Sequence, residues 1–412
     1  MISVGIDVAK DSSMVCMLKP YGEIVAAPFA VAHREPDVLR LIAQIKGLGE
    51  EARVVLEATG VYHLPLVSML READIFVAVV NPLDMKRYAA GSMRQGKSDK
   101  LDAVKIAAYG LDRWMQLRNF DGENAVYGEL KLLGRQYYHY NRLAVEQKLA
   151  LTNLLDRTMP GIKRILKSRQ QMRPTRDKLL DFVAEYWHYD TITAMTESAF
   201  VDSYNAWAKA HGYHRSDDTA RRIYAAAREG VPTLRADSVS SRLLMEQCVR
   251  TMRELNGTLE TILHRMMELA VTLPEYAVVR AMPGVGDVLS CKLIAEIGDV
   301  RRFKSGSALV AYAGLDSPPD QSGTSKDGNR PMSKRGSAIL RKTGYELMLC
   351  LKSVKPVADS AVYEYLLKKE AEGKPEKVAK IAAFNKFLRI YYARVCEVYD
   401  ALEHTPAQDI VE

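Results

Sequence analysis

Two runs of apolar residues at three-four spacing force long helices into this 412-residue chain. In the first, Leu130, Leu133, Tyr137, Tyr140, Ala144, Gln147, Leu151 and Leu154 draw one stripe along a helix. In the second, Met245, Cys248, Met252, Leu255, Leu259, Ile262, Met266, Leu269 and Leu273 repeat it. Pro160 and Pro274 stand just past the two runs, where proline ends a helix. Seams this regular meet another helix, either each other as an antiparallel hairpin or a second copy of the chain. The chain is too long for one core. The expected division is an α/β domain over 1–115, coiled-coil helices over 125–275 with a helical insert at about 160–240, and a C-terminal domain over 276–400.

Ahead of the first run, strand and helix patterns alternate. Ile2, Val4, Ile6 and Val8 interleave with Ser3, Gly5 and Asp7, the pattern of a half-buried strand with Asp7 on its polar face. Strands follow over 13–19 and 23–31 around a Tyr21-Gly22 turn, then a helix over 35–45 and a strand over 53–57 ending in Glu57. A helix over 63–71, a buried strand over 75–80, and helices over 84–90 and 99–113 complete the region. Three early strands followed by β/α alternation is the order of an RNase H-like fold.

Four acids in this region need a reason. Asp7 interrupts an apolar strand, Glu57 ends one, and Asp99 and Asp102 share a helix face at roughly 5–6 Å between Cβ atoms. Brought together, they would repel one another unless a cation filled the site, and hard oxygen ligands favour Mg²⁺, or Mn²⁺. The plainer alternative is that Asp99 and Asp102 are first-turn acids behind an N-cap, Ser98, and that Glu57 is a solvated strand end.

The formal charge of +7 permits a nucleic-acid partner without requiring one. Five scattered cysteines outline neither a zinc site nor a disulfide framework, and no apolar run is long enough to span a membrane. A soluble cytoplasmic protein is the expectation. The aromatic-studded insert offers either a nucleic-acid cover or space-filling side chains.

In the last third, Met282-Pro283-Gly284-Val285-Gly286-Asp287 leads into an amphipathic helix. The turn suits a helix-hairpin-helix-like motif, in which the amides of Gly284 and Gly286 meet a phosphate, or simply a tight helix-helix turn. The Ser-, Gly- and Pro-rich stretch from Asp316 to Lys334 reads as a loop. Its cations Lys326, Arg330, Lys334 and Arg335, with Arg341 and Lys342 beyond, suit a phosphate backbone. Arg94, Lys97, Lys100 and Lys105 beside the acidic pair are candidates for the same task. Ser322 is one of several loop serines, and nothing in composition separates it from Ser317, Ser325 or Ser333.

Taken together, GIDVAK, LEATG, the KSDKLDA block and the late PGVG, AYAGLD, QSG and SKRG series resemble the DEDD-type transposases of prokaryotic insertion sequences. This is the insertion-sequence one-hundred-and-ten family of bridge-RNA-guided recombinases, with Piv-type DNA invertases as relatives. The resemblance covers roughly 1–115 and 275–395, and the insert is the main departure from it. It implies a RuvC-like N-terminal domain whose acidic tetrad, mapping onto Asp7, Glu57, Asp99 and Asp102, binds Mg²⁺. It implies a mainly α C-terminal transposase domain in which the Gln-Ser-Gly position makes Ser322 the nucleophile. It further implies donor and target DNA, a structured non-coding guide RNA, and a homodimer that assembles to a tetramer.

Overall fold

The computed structural model describes residues 1–58, 60–90, 98–120, 125–166, 177–317, 321–322, 325–326 and 331–404. They fall into two units, 1–122 and 123–412. In the first, β1 (Ile2–Val8), β2 (Ser12–Leu18) and β3 (Ile24–Ala32) form an antiparallel meander. Then come α1 (Glu35–Lys46), β4 (Ala52–Glu57), α2 (Leu64–Glu72), β5 (Val77–Val80), α3 (Pro82–Ala90) and α4 (Asp99–Asp112). The sheet order is β3-β2-β1-β4-β5, with β1, β4 and β5 mutually parallel. That is the RNase H-like order, and each strand and helix lies within a few residues of where the sequence pattern puts it.

One expectation fails in an informative way. β1 is not half-buried. Its apolar side, Ile2, Val4, Ile6 and Val8, packs with Val38, Leu41 and Ile42 of α1 and Leu66, Val67 and Leu70 of α2. Its other side is also covered, and Ser3 is fully buried. The residues that looked polar are small, and α4 lies directly on them.

In the second unit, α5 (Ala125–Thr158) and α11 (Val239–Val271) are the two longest helices among the described residues. Between them lie α6 (Ile162–Ile165), α7 (Lys178–Glu185), α8 (Tyr189–Thr193), α9 (Glu197–Ala210) and α10 (Asp217–Glu229). After them come α12 (Tyr276–Ala281), α13 (Asp287–Ile297), α14 (Gly306–Tyr312), the two-residue strands β6 (Gln321–Ser322) and β7 (Ser325–Lys326), α15 (Ala338–Val354), α16 (Ala361–Ala371) and α17 (Glu376–His404).

α5 and α11 run antiparallel. Arg265 pairs with Glu129 at one end, while Leu151 and Leu155 share a core with Met245 and Val249 at the other. Much of the seam is therefore filled within the chain. The insert packs into the same core as the far ends of α5 and α11, with Phe182, Tyr189, Phe200 and Tyr204 essentially without exposure, so these aromatics fill space. The rest of the unit packs α12 to α17 against the other halves of α5 and α11. Tyr127 and Tyr399 both donate to the buried Glu275 carboxylate, at 2.5 and 2.6 Å, tying the start of α5 to α17. All five cysteines are free.

Candidate functional site

Backbone parity puts the strand acids on one side of the sheet. Asp7 has the parity of Ser3 and Gly5, and Glu57 that of Val55, which packs with Ile106 of α4. Ile6 pairs with Leu56, so Asp7 and Glu57 stand level at the carboxyl ends of two parallel strands. Open α/β sheets bind their ligands at that edge.

The helical acids arrive there because α4 runs antiparallel to β1 at very short range. A Cβ added to Gly5 would stand 2.3 Å from the Ala107 amide nitrogen and 2.4 Å from the Ala103 carbonyl. One added to Gly110 would meet Ser3 Oγ at 2.2 Å and Val55 Cγ2 at 2.8 Å. Residues 103–107 thus sit over Gly5 and residue 110 over Ser3, so the helix start extends toward Asp7. Ser98 caps that start by accepting the Leu101 amide. Asp99 and Asp102 lie in its first turn.

The electrostatics of the strand acids follow from burial and from neighbouring charge. The Asp7 carboxyl is pushed up to about 6, first by burial and then by the charges of Asp102, Asp99 and Glu57. Glu57 is raised as well, by burial and by Asp102. Asp102 in turn accepts from Lys105 Nζ at 2.9 Å, so Lys105 is engaged by the acidic group it follows. Among the described residues no three His, Cys, Asp or Glu side chains form a ready metal-binding group. The donor chemistry nonetheless fits a hard divalent cation. All the groups are carboxylates, and a bound cation would offset both the burial and the neighbouring negative charge that raise Asp7.

The small residues that set this geometry escape a motif search aimed at charge. Their signal was present, as Ala103, Ala107 and Gly110 at helical spacing opposite a strand glycine. Gly5→Ala is expected to destabilise the first unit by about 2–4 kcal/mol, since backbone rather than a movable side chain blocks the new methyl. Because α4 must retreat, the first turn that carries Asp99 and Asp102 should shift relative to Asp7. Thermal denaturation checks the stability effect, and the pH dependence of melting checks the shift.

The second unit holds the other candidates. Ser322 lies in β6, its backbone paired with Ser325 of β7, so a short ladder interrupts the expected loop. Lys326 is in β7, opposite Gln321. Gly284 adopts φ +80°, and a Cβ there would stand 3.0 Å from Leu351 Cα, so the turn between α12 and α13 is fixed against α15. Gly286 caps α13, where the carboxylate of Asp287 pairs with Arg280. Arg341 donates to the carbonyls of Ala313 and Gly336, both at 3.0 Å, so its guanidinium braces the turn before α15. Lys342 lies over the Tyr138 ring at 4.5 Å. Lys100, Lys334 and Arg335 are exposed. Arg94, Lys97 and Arg330 lie outside the described residues.

Comparison with known proteins bears on both units. A family model for DEDD transposases of the IS110 type matches residues 4–160, and the transposase model of the IS116/IS110/IS902 family matches 276–363. The chain belongs to the IS110 transposase family. An enzyme of this family is a DNA transposase or recombinase.

This IS110-family chain is 23% identical to the insertion element IS116 uncharacterized 44.8 kDa protein of Streptomyces clavuligerus, across all of this chain and 98% of that protein. It is 23% identical over 340 residues to the pilin gene-inverting protein of Moraxella bovis, covering 82% of this chain and 79% of the relative. Among solved structures, Thermus thermophilus RuvC aligns at 16% identity and a TM-score of 0.23, over 29% of this chain and 99% of that one. RuvC bound to a Holliday junction substrate aligns at the same level.

Proposed function

We propose that this transposase is a site-specific DNA recombinase that moves an insertion sequence and is guided by a structured non-coding RNA. The observation that supports the reading is the placement of Asp7 and Glu57 level at the carboxyl ends of two parallel strands, toward which the first turn of α4, with Asp99 and Asp102, extends. These four would hold Mg²⁺, or Mn²⁺, and Asp102 would exchange Lys105 for the ion. When bound, the metal supplies charge neutralisation at the scissile phosphate.

Ser322 is the proposed nucleophile. Its Oγ attacks phosphorus and loses its proton, and the phosphorus–oxygen bond to one deoxyribose breaks, releasing that sugar as a free hydroxyl. The phosphoserine keeps the energy of the broken bond, and attack by a hydroxyl of another strand rejoins DNA and frees the serine. Recombination needs that conservation, whereas hydrolysis by a metal-activated water would lose it. A homodimer that pairs into a tetramer is the proposed assembly. Exposed Lys100, Lys334, Arg335 and Lys342, with the Gly284–Gly286 turn, are proposed contacts to nucleic-acid backbone.

No helix among the described residues is long and apolar enough to cross a membrane. Action on the nucleoid, in the prokaryotic cytoplasm, follows from the proposed substrate. The pilin gene-inverting relatives favour a second reading, inversion of one DNA segment by the same chemistry. Sequencing RNA that co-purifies with the protein separates them. A single structured RNA encoded beside the gene, with loops matching the element's ends and target, is the expected result. Its absence from active recombinase would move the assignment to an RNA-independent invertase.

A further inference from the structure

We propose that exposed apolar residues Val61, Tyr62 and Leu64, on the connection that follows Glu57, receive nucleobases of the DNA strand whose phosphodiester sits at the site. This rests on the reading of the carboxylate edge as the place of strand cleavage. β4 ends at Glu57 and α2 begins at Leu64, so the connecting loop leaves the sheet from the same edge. Between Glu57 and Tyr62 there are five residue steps, at most about 17 Å of extended chain. Gly60, with φ +53°, turns the loop inside that span.

The loop's orientation is fixed. His63 is 7% exposed, and Leu66, Val67 and Leu70 of α2 are buried in the core. Their neighbours Val61, Tyr62 and Leu64 stay 66, 40 and 48% exposed. Leu101, between Asp99 and Asp102 on α4, is another large apolar residue left open at this edge, at 46%. A surface built only for phosphates would be edged by cations and polar groups. Exposed apolar side chains a few residues along the chain from Glu57, Asp99 and Asp102 suit a ligand that alternates charge with flat apolar surface, which describes a nucleic-acid strand. A tyrosine ring stacks on any base, because every base has a π face, so these residues would act without reading sequence.

The test uses the full-length protein in magnesium buffer with single-stranded oligothymidylate and an abasic oligomer of equal length. Wild type should prefer the base-bearing strand at least about fivefold, from one stacked base. Tyr62→Ala should lose that preference, and Tyr62→Phe should keep it. With 5-iodouracil in the oligomer, irradiation should attach DNA to Tyr62, found by mass spectrometry in the tryptic peptide of residues 54–71. Equal affinities for the two oligomers, or a crosslink that avoids this peptide, would overturn the proposal and leave these residues to a protein contact. Binding and crosslinking need no cleavage, so failure here leaves the carboxylate chemistry standing. Loss of cleavage in a carboxylate variant likewise leaves this test intact.

Discussion

Asp7→Asn is expected to make the protein more stable in metal-free buffer at about pH 8 while abolishing strand exchange. The folded protein holds the Asp7 proton more tightly than the unfolded chain does, at about 6 against an ordinary value of 3.8. Stability linked to this group is therefore fully present below the unfolded value and is lost as pH rises through about 6. Two pH units correspond to about 3 kcal/mol in full, and partial solvent access reduces this to about 1–2 kcal/mol. Asparagine keeps the shape and removes the charge. Its advantage should be absent near pH 3.5, grow between about pH 4 and 7, and level off above. Mg²⁺ should then raise the melting temperature of the wild type much more than that of Asp7→Asn, because a ligand bound only by the folded state stabilises it. Melting curves across pH, with chelator and with Mg²⁺, measure each of these. A variant less stable at pH 8 in chelator, or equal Mg²⁺ responses, would contradict a cation site at this edge.

Ser322→Ala separates the two halves of the chemistry. The substitution lies in the second unit, far along the chain from the acids, so the Mg²⁺-dependent stabilisation should be unchanged. Strand exchange should fall by at least about a thousandfold, the scale on which removal of a nucleophile is felt. If the variant still cut DNA at a substantial rate, the nucleophile would be a water molecule and the enzyme a hydrolytic endonuclease. Ser325, paired with Ser322 across β6 and β7, is the natural control. Ser325→Ala should retain exchange.

Much of the first unit is legible in the sequence because its signals are local. The run over 53–57 ends at an acid and the run over 75–80 at Asn81-Pro82, and strands form at both places. The level placement of Asp7 and Glu57 follows from strand parity, and the shared face of Asp99 and Asp102 from helical spacing, both short-range rules. The closeness of α4 to β1 depends on Gly5 and Gly110 meeting across the fold, and a scan for charged motifs passes over them. For the same reason β1 reads as half-buried. Its small residues look polar in alternation, although in three dimensions they make room for a helix.

The long helices show a different limit. A three-four stripe specifies that a partner exists and leaves its identity open, and Met245 meets Leu151 through packing that no single segment encodes. The insert's aromatics follow the same logic, since Phe182 and Tyr204 become core once their helices pack together. Arg341 looks like one more cation of a basic loop, yet it braces backbone carbonyls at 3.0 Å. Ser322 owes its proposed role to the family's Gln-Ser-Gly position, since nothing in its local composition sets it apart from neighbouring serines.

The most direct measurement is to quench a recombination reaction with detergent and look for DNA covalently attached to the protein. End-labelled substrate should co-migrate with the wild-type chain only when Mg²⁺ or Mn²⁺ is present, and the labelled peptide should carry a phosphodiester on Ser322. Asp7→Asn and Ser322→Ala should both give no adduct. DNA that is cut and rejoined with no protein-linked species at any time, or an adduct mapped to another residue, would contradict the division of labour between the carboxylate edge and the serine.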